Sequence, residues 1–146
     1  MSLLVLPDEV LLLISELLDP ADILKLLGLN WRLHNIFEPL YYREVDLTRS
    51  PATRLSDFVE SISIDHGRKG ILVNTLKLDY IYQSPELKLF PNLRRLGFTE
   101  ERNFSFIESW KTFSNISGLT HFTCMSQIFH HRAFATFLKA QTHLQF

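Results

Sequence analysis

The sequence predicts an α+β protein, in which a helical N-terminal domain over residues 1–44 precedes a short, irregular α/β solenoid over residues 45–146. Two observations lead to this prediction. Residues 6–37 combine helix-start and helix-stop residues with dense apolar runs, whereas the chain from Gly70 onward repeats a short strand-like pattern. The first pattern is typical of helices and the second of a repeated array, so we expect two units of different architecture.

Helix-start residues occur twice near the N-terminus. Pro7 suits the first position of a helix, and Asp8 and Glu9 suit its first turn, where carboxylates are favoured by the positive end of the helix dipole. Asp19 can cap a second helix that has Pro20 at its first position. We therefore expect one helix to begin at Pro7 and another directly after Asp19.

The second helix is expected to run to about Gly28, and a third helix from about Asn30 to Phe37. The third helix should end there because Pro39 disfavours the helical conformation in Glu38. Residues 6–37 thus predict three short helices.

These helices contain more apolar residues than a small unit can bury. More than half of residues 3–37 are apolar, against 46% of the whole chain. Val10, Ile14 and Leu17–Leu18 form one helical face, and Leu11–Leu13 add apolar surface around it. A unit of about 40 residues has too small an interior to cover all of this surface. We expect another protein, or the following unit, to cover the remainder.

The order of residues in this region resembles an F-box. It contains Leu-Pro-Asp-Glu from Leu6, an apolar helix, a break, Ile23-Leu24-Lys25, Gly28 and Arg32-Leu33, and the match extends to about Leu47. F-box domains bind the Skp-type adaptor of cullin-RING (SCF) ubiquitin ligases. The resemblance implies a partner-binding surface that comprises Leu6, Pro7, Val10, Leu11, Ile14, Leu18, Ile23, Leu24 and Leu33.

A weak repeat follows Gly70. Its three copies are Val73-x-x-Leu76-x-Leu78, Leu93-x-x-Leu96-x-Phe98 and Leu119-x-x-Phe122-x-Cys124, and their first positions are 20 and 26 residues apart. The pattern resembles the strand of a leucine-rich repeat, in which a helix or turn returns the chain to the next strand. Leu144-x-Phe146 fits the start of a fourth copy, which predicts a repeat region that is incomplete at the C-terminus.

Other elements of the second unit are predicted from periodicity. We expect a strand in residues 40–48 and a helix that ends at His66-Gly67. Apolar residues at helical spacing predict this helix, namely Leu55, Phe58, Val59 and Ile62. The same spacing predicts two helices that return the chain between strands, one with Phe106, Ile107, Trp110 and Phe113 and the other with Phe129, Ala133, Phe134, Phe137 and Leu138.

The segment from Phe90 to Leu96, Phe-Pro-Asn-Leu-Arg-Arg-Leu, resembles repeats of F-box proteins of the fungal type. Together the two resemblances imply a substrate adaptor. The N-terminal domain would bind the Skp-type adaptor, and the repeat region would hold an unknown protein substrate near the ligase. Such a protein acts by proximity and catalyses no step itself.

Composition disfavours several other classes of protein. The net charge is −1, and acidic residues outnumber basic ones up to Glu44, which disfavours a nucleic-acid partner. The apolar N-terminus has no basic segment and is interrupted by Pro7, Asp8 and Glu9, so we expect no signal peptide and no membrane partner. A single cysteine, Cys124, fits a reducing compartment and predicts an intracellular protein of the cytoplasm or nucleus.

The chain lacks the patterns expected of an enzyme. It has no glycine-rich phosphate loop, no nucleophile elbow and no His-Glu-x-x-His motif, and the adjacent His130 and His131 point apart on a helix. We therefore expect no catalytic residue, metal or cofactor. The alternatives are a small intracellular enzyme, an interaction module outside a ligase, a helical nucleic-acid binder, or a helical cap on a small repeat protein.

Overall fold

The structure is a computed structural model that describes residues 3–48, 50, 52–79, 87–99, 116–124 and 132–144. The chain divides into two compact units, Met1–Glu44 and Val45–Phe146. Unit 1 contains a 3-10 turn at Leu3–Val5 and the helices α1 (Asp8–Ser15), α2 (Pro20–Leu27) and α3 (Trp31–Arg43). The remaining elements are β1 (Glu44–Asp46), α4 (Ala52–Ile64), α5 (Arg68–Leu72), β2 (Thr75–Leu78), a 3-10 turn at Leu87–Leu89, β3 (Arg95–Phe98), β4 (His121–Cys124) and α6 (Arg132–Ala140). This mixture of helices and strands is compatible with the predicted α+β class.

The first two helices begin close to the predicted residues. The carboxylate of Asp19 accepts a hydrogen bond of 2.9 Å from the backbone N–H of Asp22, and Pro20 occupies the first helical position of α2. Pro7 lies one residue before α1, because its ψ of 153° is extended, and Asp8 is the first helical residue. The predicted start of α1 is therefore wrong by one residue, while that of α2 is confirmed.

The third helix is longer than predicted, because α3 continues through Pro39 to Arg43. Proline removes one helical hydrogen bond, which disfavours but does not forbid an interior position. Here Phe37 before the proline is buried, and Leu40 and Tyr41 after it pack on the same core. This packing offsets the lost hydrogen bond, so the prediction that Pro39 ends the helix is wrong. Because α3 extends to Arg43, the strand predicted over residues 40–48 is shortened to β1, Glu44–Asp46.

All three helices contribute to a small core in unit 1. Leu11 of α1, Ile23 of α2, and Leu33 and Phe37 of α3 are buried together. Half-buried apolar side chains from the same unit pack around these four residues.

A four-stranded sheet in the order β1-β2-β3-β4 organises unit 2. β2, β3 and β4 are parallel, and Leu76 pairs in register with Leu96, which pairs with Phe122. Leu78, Phe98 and Cys124 form the next row. The alignment of the three repeat copies predicted from the sequence is therefore confirmed as the register of the sheet.

The backbone repeats the same connection before each of these strands. The carbonyl oxygen of Asn74 accepts hydrogen bonds from the N–H groups of Arg94 and Arg95, at 2.8 and 3.0 Å. The carbonyl oxygen of Arg94 accepts in the same way from the N–H groups of Thr120 and His121, at 2.8 and 3.1 Å. Each copy therefore begins with the same local geometry, although the connecting segments differ in length.

One face of the sheet forms the core of unit 2. Val73, Leu93 and Leu119, the first residues of the three copies, are buried. Phe137 of α6 packs against Phe122, with ring centroids 5.2 Å apart, and Phe58 of α4 stacks on Phe90 at 6.1 Å.

The helix predicted from Leu55 to Ile62 is confirmed as α4. It ends as expected, since Gly67 has a left-handed φ of 80° and its N–H bonds the Ile62 carbonyl. The predicted helix containing Phe106 to Phe113 lies outside the described residues.

The predicted helix containing Phe129 to Leu138 corresponds in its described part to α6, where Phe137 is buried and Leu138 is half-buried. Phe129 lies outside the described residues. Leu144 packs on the core but belongs to no strand, and Phe146 again lies outside the described residues.

Candidate functional site

Unit 1 leaves much of its apolar surface uncovered. Among the described residues of unit 2, only Ile64 and Ile71 are large apolar side chains that are exposed. Unit 1 is smaller and exposes many more, namely Leu3, Leu4, Val5, Val10, Leu12, Leu13, Leu17, Leu24, Leu29 and Trp31. A surface of this kind is typical of a protein-binding site.

The geometry of α1 explains which of its leucines are exposed. Leu11 and Ser15, one turn apart, are buried and face the other helices. Val10 and Leu13 lie three residues apart on α1, and Leu17 follows in the turn directly after the helix. All three are exposed, and we name them the α1 ridge. Leu13 is 63% exposed and Leu17 is 86% exposed. The outer side of α1 thus carries apolar residues, where polar residues would be expected.

Further exposed apolar side chains lie on α2 and shortly after it. Ile23 points into the core, while Leu24 beside it is 52% exposed. Leu29 and Trp31 come directly after the helix, and Trp31 is 75% exposed. Tryptophan side chains are enriched at the energetic centres of protein interfaces.

The residues of the partner-binding surface predicted from the sequence occupy three kinds of environment. Pro7, Val10 and Leu24 are exposed, Leu6, Ile14 and Leu18 are half-buried, and Leu11, Ile23 and Leu33 are buried. The buried three hold the helices together, so they would affect a partner only through the fold of unit 1. The exposed and half-buried residues are available for direct contact.

Sequence reasoning left several strongly exposed residues out of that surface. Leu13, Leu17 and Trp31, for example, were not among the predicted contacts, yet each of them is more exposed than Leu24, which was. The spacing of Val10, Leu13 and Leu17 could have indicated the α1 ridge. No comparable spacing marks Trp31, the first residue of α3, because His34 and Asn35 occupy the positions three and four residues after it.

Arg32 fixes the N-terminal turn against α3. Its guanidinium donates hydrogen bonds of 2.7 Å to the carbonyl oxygens of both Leu4 and Leu6, and it forms an ion pair with the Asp8 carboxylate. A planar guanidinium can satisfy several acceptors at once without losing its charge. Leu6 and Pro7, two of the predicted contact residues, are therefore held in place by the third helix.

An open apolar cavity of about 200 Å³ lies between the helices of unit 1. It is lined by Leu3, Leu11, Ile14, Leu18, Asp22, Lys25, Leu26, Leu33 and Phe37. The two polar residues form an ion pair of 2.7 Å, and the hydrogen bond and charge of Asp22 raise the pKa of Lys25. The interior of unit 1 is thus incompletely filled on the side where Ile14 and Leu18 are half-buried.

Candidate metal-ligating side chains are dispersed over the described part of the chain. No group of histidine, cysteine and carboxylate side chains there is arranged to hold a metal ion. Cys124 is half-buried and packs against the core of unit 2, while His130 and His131 lie outside the described residues. Over the same residues, no helix has the length and apolar character needed to cross a membrane.

Comparison of the sequence with protein-family models and with curated proteins, and of the chain with solved structures, gives no match.

Proposed function

We propose that this chain is an F-box substrate adaptor. Unit 1 binds the Skp-type adaptor of a cullin-RING ubiquitin ligase, and unit 2 holds a protein substrate. The chain performs no catalytic step of its own and works inside the cell. The proposal rests on the order of residues from Leu6 to Leu47, which resembles an F-box, and on the apolar surface of unit 1.

The observation that carries the proposal is the α1 ridge beside exposed residues of the predicted contact surface. Burying apolar surface contributes about 25 cal/mol per Å², so a few leucines that become covered supply several kcal/mol. Three short helices with a four-residue core present these leucines at fixed positions, which reduces the entropy lost on binding. This arrangement suits a stable protein interface better than it suits an isolated soluble unit.

The mechanism is one of proximity. A substrate held on unit 2 stays near a ligase held on unit 1, so transfer of ubiquitin to a substrate lysine becomes effectively intramolecular. The advantage corresponds to a local substrate concentration in the mM range for short connections.

The test is binding of the full chain to a purified Skp-type adaptor by isothermal titration calorimetry. Val10→Glu and Leu24→Glu place a charge on exposed residues of the predicted surface, so neither change should unfold unit 1. An unpaired charge in a desolvated interface costs several kcal/mol, and each variant should bind at least about a hundredfold more weakly.

Ile64→Glu is the matched control, because Ile64 is 71% exposed and belongs to unit 2. It should bind the adaptor as the unchanged protein does. Absence of binding by the unchanged protein, or equal binding by all three variants, contradicts the proposal. Circular dichroism of each variant shows whether the helices remain intact.

A further inference from the structure

The cavity of about 200 Å³ in unit 1 is lined by side chains from all three of its helices. Its inner end is formed by the core residues Leu11, Leu33 and Phe37, which are at most 2% exposed. Leu3 and Lys25, which are exposed, lie at its opening. The cavity therefore extends from solvent into the core of the unit, and a molecule inside it would touch residues that hold the helices together.

The side chains of the cavity offer little to hold water. Asp22 and Lys25 are the only polar ones among the nine described residues that line it, and they bond each other at 2.7 Å. A water molecule inside a protein needs roughly two to four polar partners, and an apolar cavity without them stays dry. An apolar molecule that enters gains burial and dispersion contacts that water cannot supply there.

The volume of the cavity limits the size of a ligand. Pockets for drug-sized molecules measure about 300–1,000 Å³, so this cavity is too small for one of them. An apolar cavity of about 150 Å³ holds a benzene molecule. The somewhat larger volume in unit 1 therefore fits a single aromatic ring with a short alkyl substituent.

The charges at the opening select against an ionised ligand. The hydrogen bond and the charge of Asp22 raise the pKa of Lys25, and the nearby charge of Asp19 adds to this effect. Two carboxylates and one ammonium group thus leave the opening with a small negative surplus, which repels an anion. An ion of either sign would also lose its hydration among the apolar side chains of the interior. A neutral molecule meets neither obstacle.

We infer that the cavity of unit 1 binds a neutral, apolar small molecule of about the size of toluene. A side chain of a bound protein is a poorer occupant, because the partner's backbone would have to cover the ion pair of Asp22 and Lys25, whose side chains are 46% and 74% exposed. Removing an ion pair from water costs energy that the attraction between its charges does not always return. A free molecule enters beside the pair without covering it. Binding of this kind needs no partner protein and does not depend on the proposed function.

The experiment is titration of the full chain with toluene, followed by NMR of the protein methyl groups. The shifts should saturate with a Kd on the order of 1 mM, as expected for a ligand of about seven heavy atoms. Nuclear Overhauser effects should connect the toluene protons to the methyl groups of Leu11 and Leu33, because both leucines line the cavity and are buried in the core. A molecule bound on the outer surface would not reach these two side chains.

Two variants fill the cavity, Leu26→Trp and Ile14→Phe, since both residues line it and are half-buried. Each should weaken toluene binding by about tenfold or more, because the added ring atoms occupy the space of the ligand. Leu12→Trp is the matched control, since Leu12 is 42% exposed on α1 and does not line the cavity. It should bind toluene as the unchanged protein does. Circular dichroism shows whether each variant is folded, and the Overhauser effects on the unchanged protein locate the ligand independently of the variants.

Benzoate and benzylammonium carry the same ring with a negative or a positive charge, and each should bind about tenfold more weakly than toluene or worse. Equal or tighter binding of either ion overturns the inference, and so does the absence of saturable toluene binding. Overhauser effects that are confined to exposed residues, or equal toluene binding by the filled and unchanged proteins, overturn it as well. If toluene does not bind but Leu26→Trp weakens adaptor binding, the cavity receives a side chain of the partner instead.

Discussion

Replacing Gly70 by alanine should destabilise unit 2, although the same change stabilises most helices. Gly70 lies within α5, where alanine is favoured over glycine by about 0.8–1.0 kcal/mol. However, a Cβ at this position would lie 2.0 Å from the carbonyl oxygen of Leu89 and 3.2 Å from Cγ2 of Ile62. Carbon and oxygen atoms normally approach to about 3.3 Å, so the backbone itself has to move.

The size of the destabilisation follows from the residues around the clash between the added Cβ and the Leu89 carbonyl oxygen. Ile62, Leu87 and Phe90 are buried next to it, so a shift of the Leu89 carbonyl disturbs the centre of the unit. Overpacking of a dense core costs about 1–3 kcal/mol, and backbone displacement places this case near the upper limit. After the gain in helix propensity, about 2 kcal/mol of net destabilisation remains. For a domain of roughly 100 residues this lowers Tm by about 10 °C.

Differential scanning calorimetry measures this change, with Gly28→Ala as the control. Gly28 caps α2 in the right-handed region, and a Cβ there would meet only the Lys25 carbonyl oxygen, at an ordinary 3.6 Å. The control should therefore leave Tm unchanged or slightly raised. If Gly70→Ala has the Tm of the unchanged protein or a higher one, the close approach of α5 to Leu89 is refuted.

Three further predictions concern single polar residues. Arg32→Met should speed amide exchange in residues 3–8 and lower the free energy of unfolding of unit 1 by about 1–3 kcal/mol. Lys25→Met is the control, because it removes only an exposed ion pair, and it should change neither the exchange rate nor the stability. Gln141→Leu should cost about 2 kcal/mol in urea unfolding, since it leaves the Leu119 N–H and a buried carbonyl unpaired. Partial burial alone would raise the pKa of Asp46, but hydrogen bonds from a neighbouring threonine and the charge of Lys77 lower it. This carboxylate therefore stabilises the fold above about pH 4, and its contribution is lost as the pH falls through its pKa in the folded protein. The Asp46→Asn variant should consequently lose less stability on acidification than the unchanged protein does.

The sequence by itself determined the elements whose signals are local or periodic. Asp19 and Pro20 define the start of α2 through groups only three residues apart, and Gly67 ends α4 because few other residues adopt its φ. The repeated pattern identified Leu76, Leu96 and Phe122 as equivalent strand residues, and the structure pairs these residues in the parallel register of the sheet.

Tertiary packing decided the features that depend on contacts between distant residues. α3 continues through Pro39 because Leu40 and Tyr41 gain a core to pack on, and no local rule includes that gain. The predicted contact surface was similarly divided by the fold. Leu11 and Leu24, both predicted contacts, have the same chemistry in the sequence, but only the position of the other helices makes Leu11 part of the core and leaves Leu24 exposed.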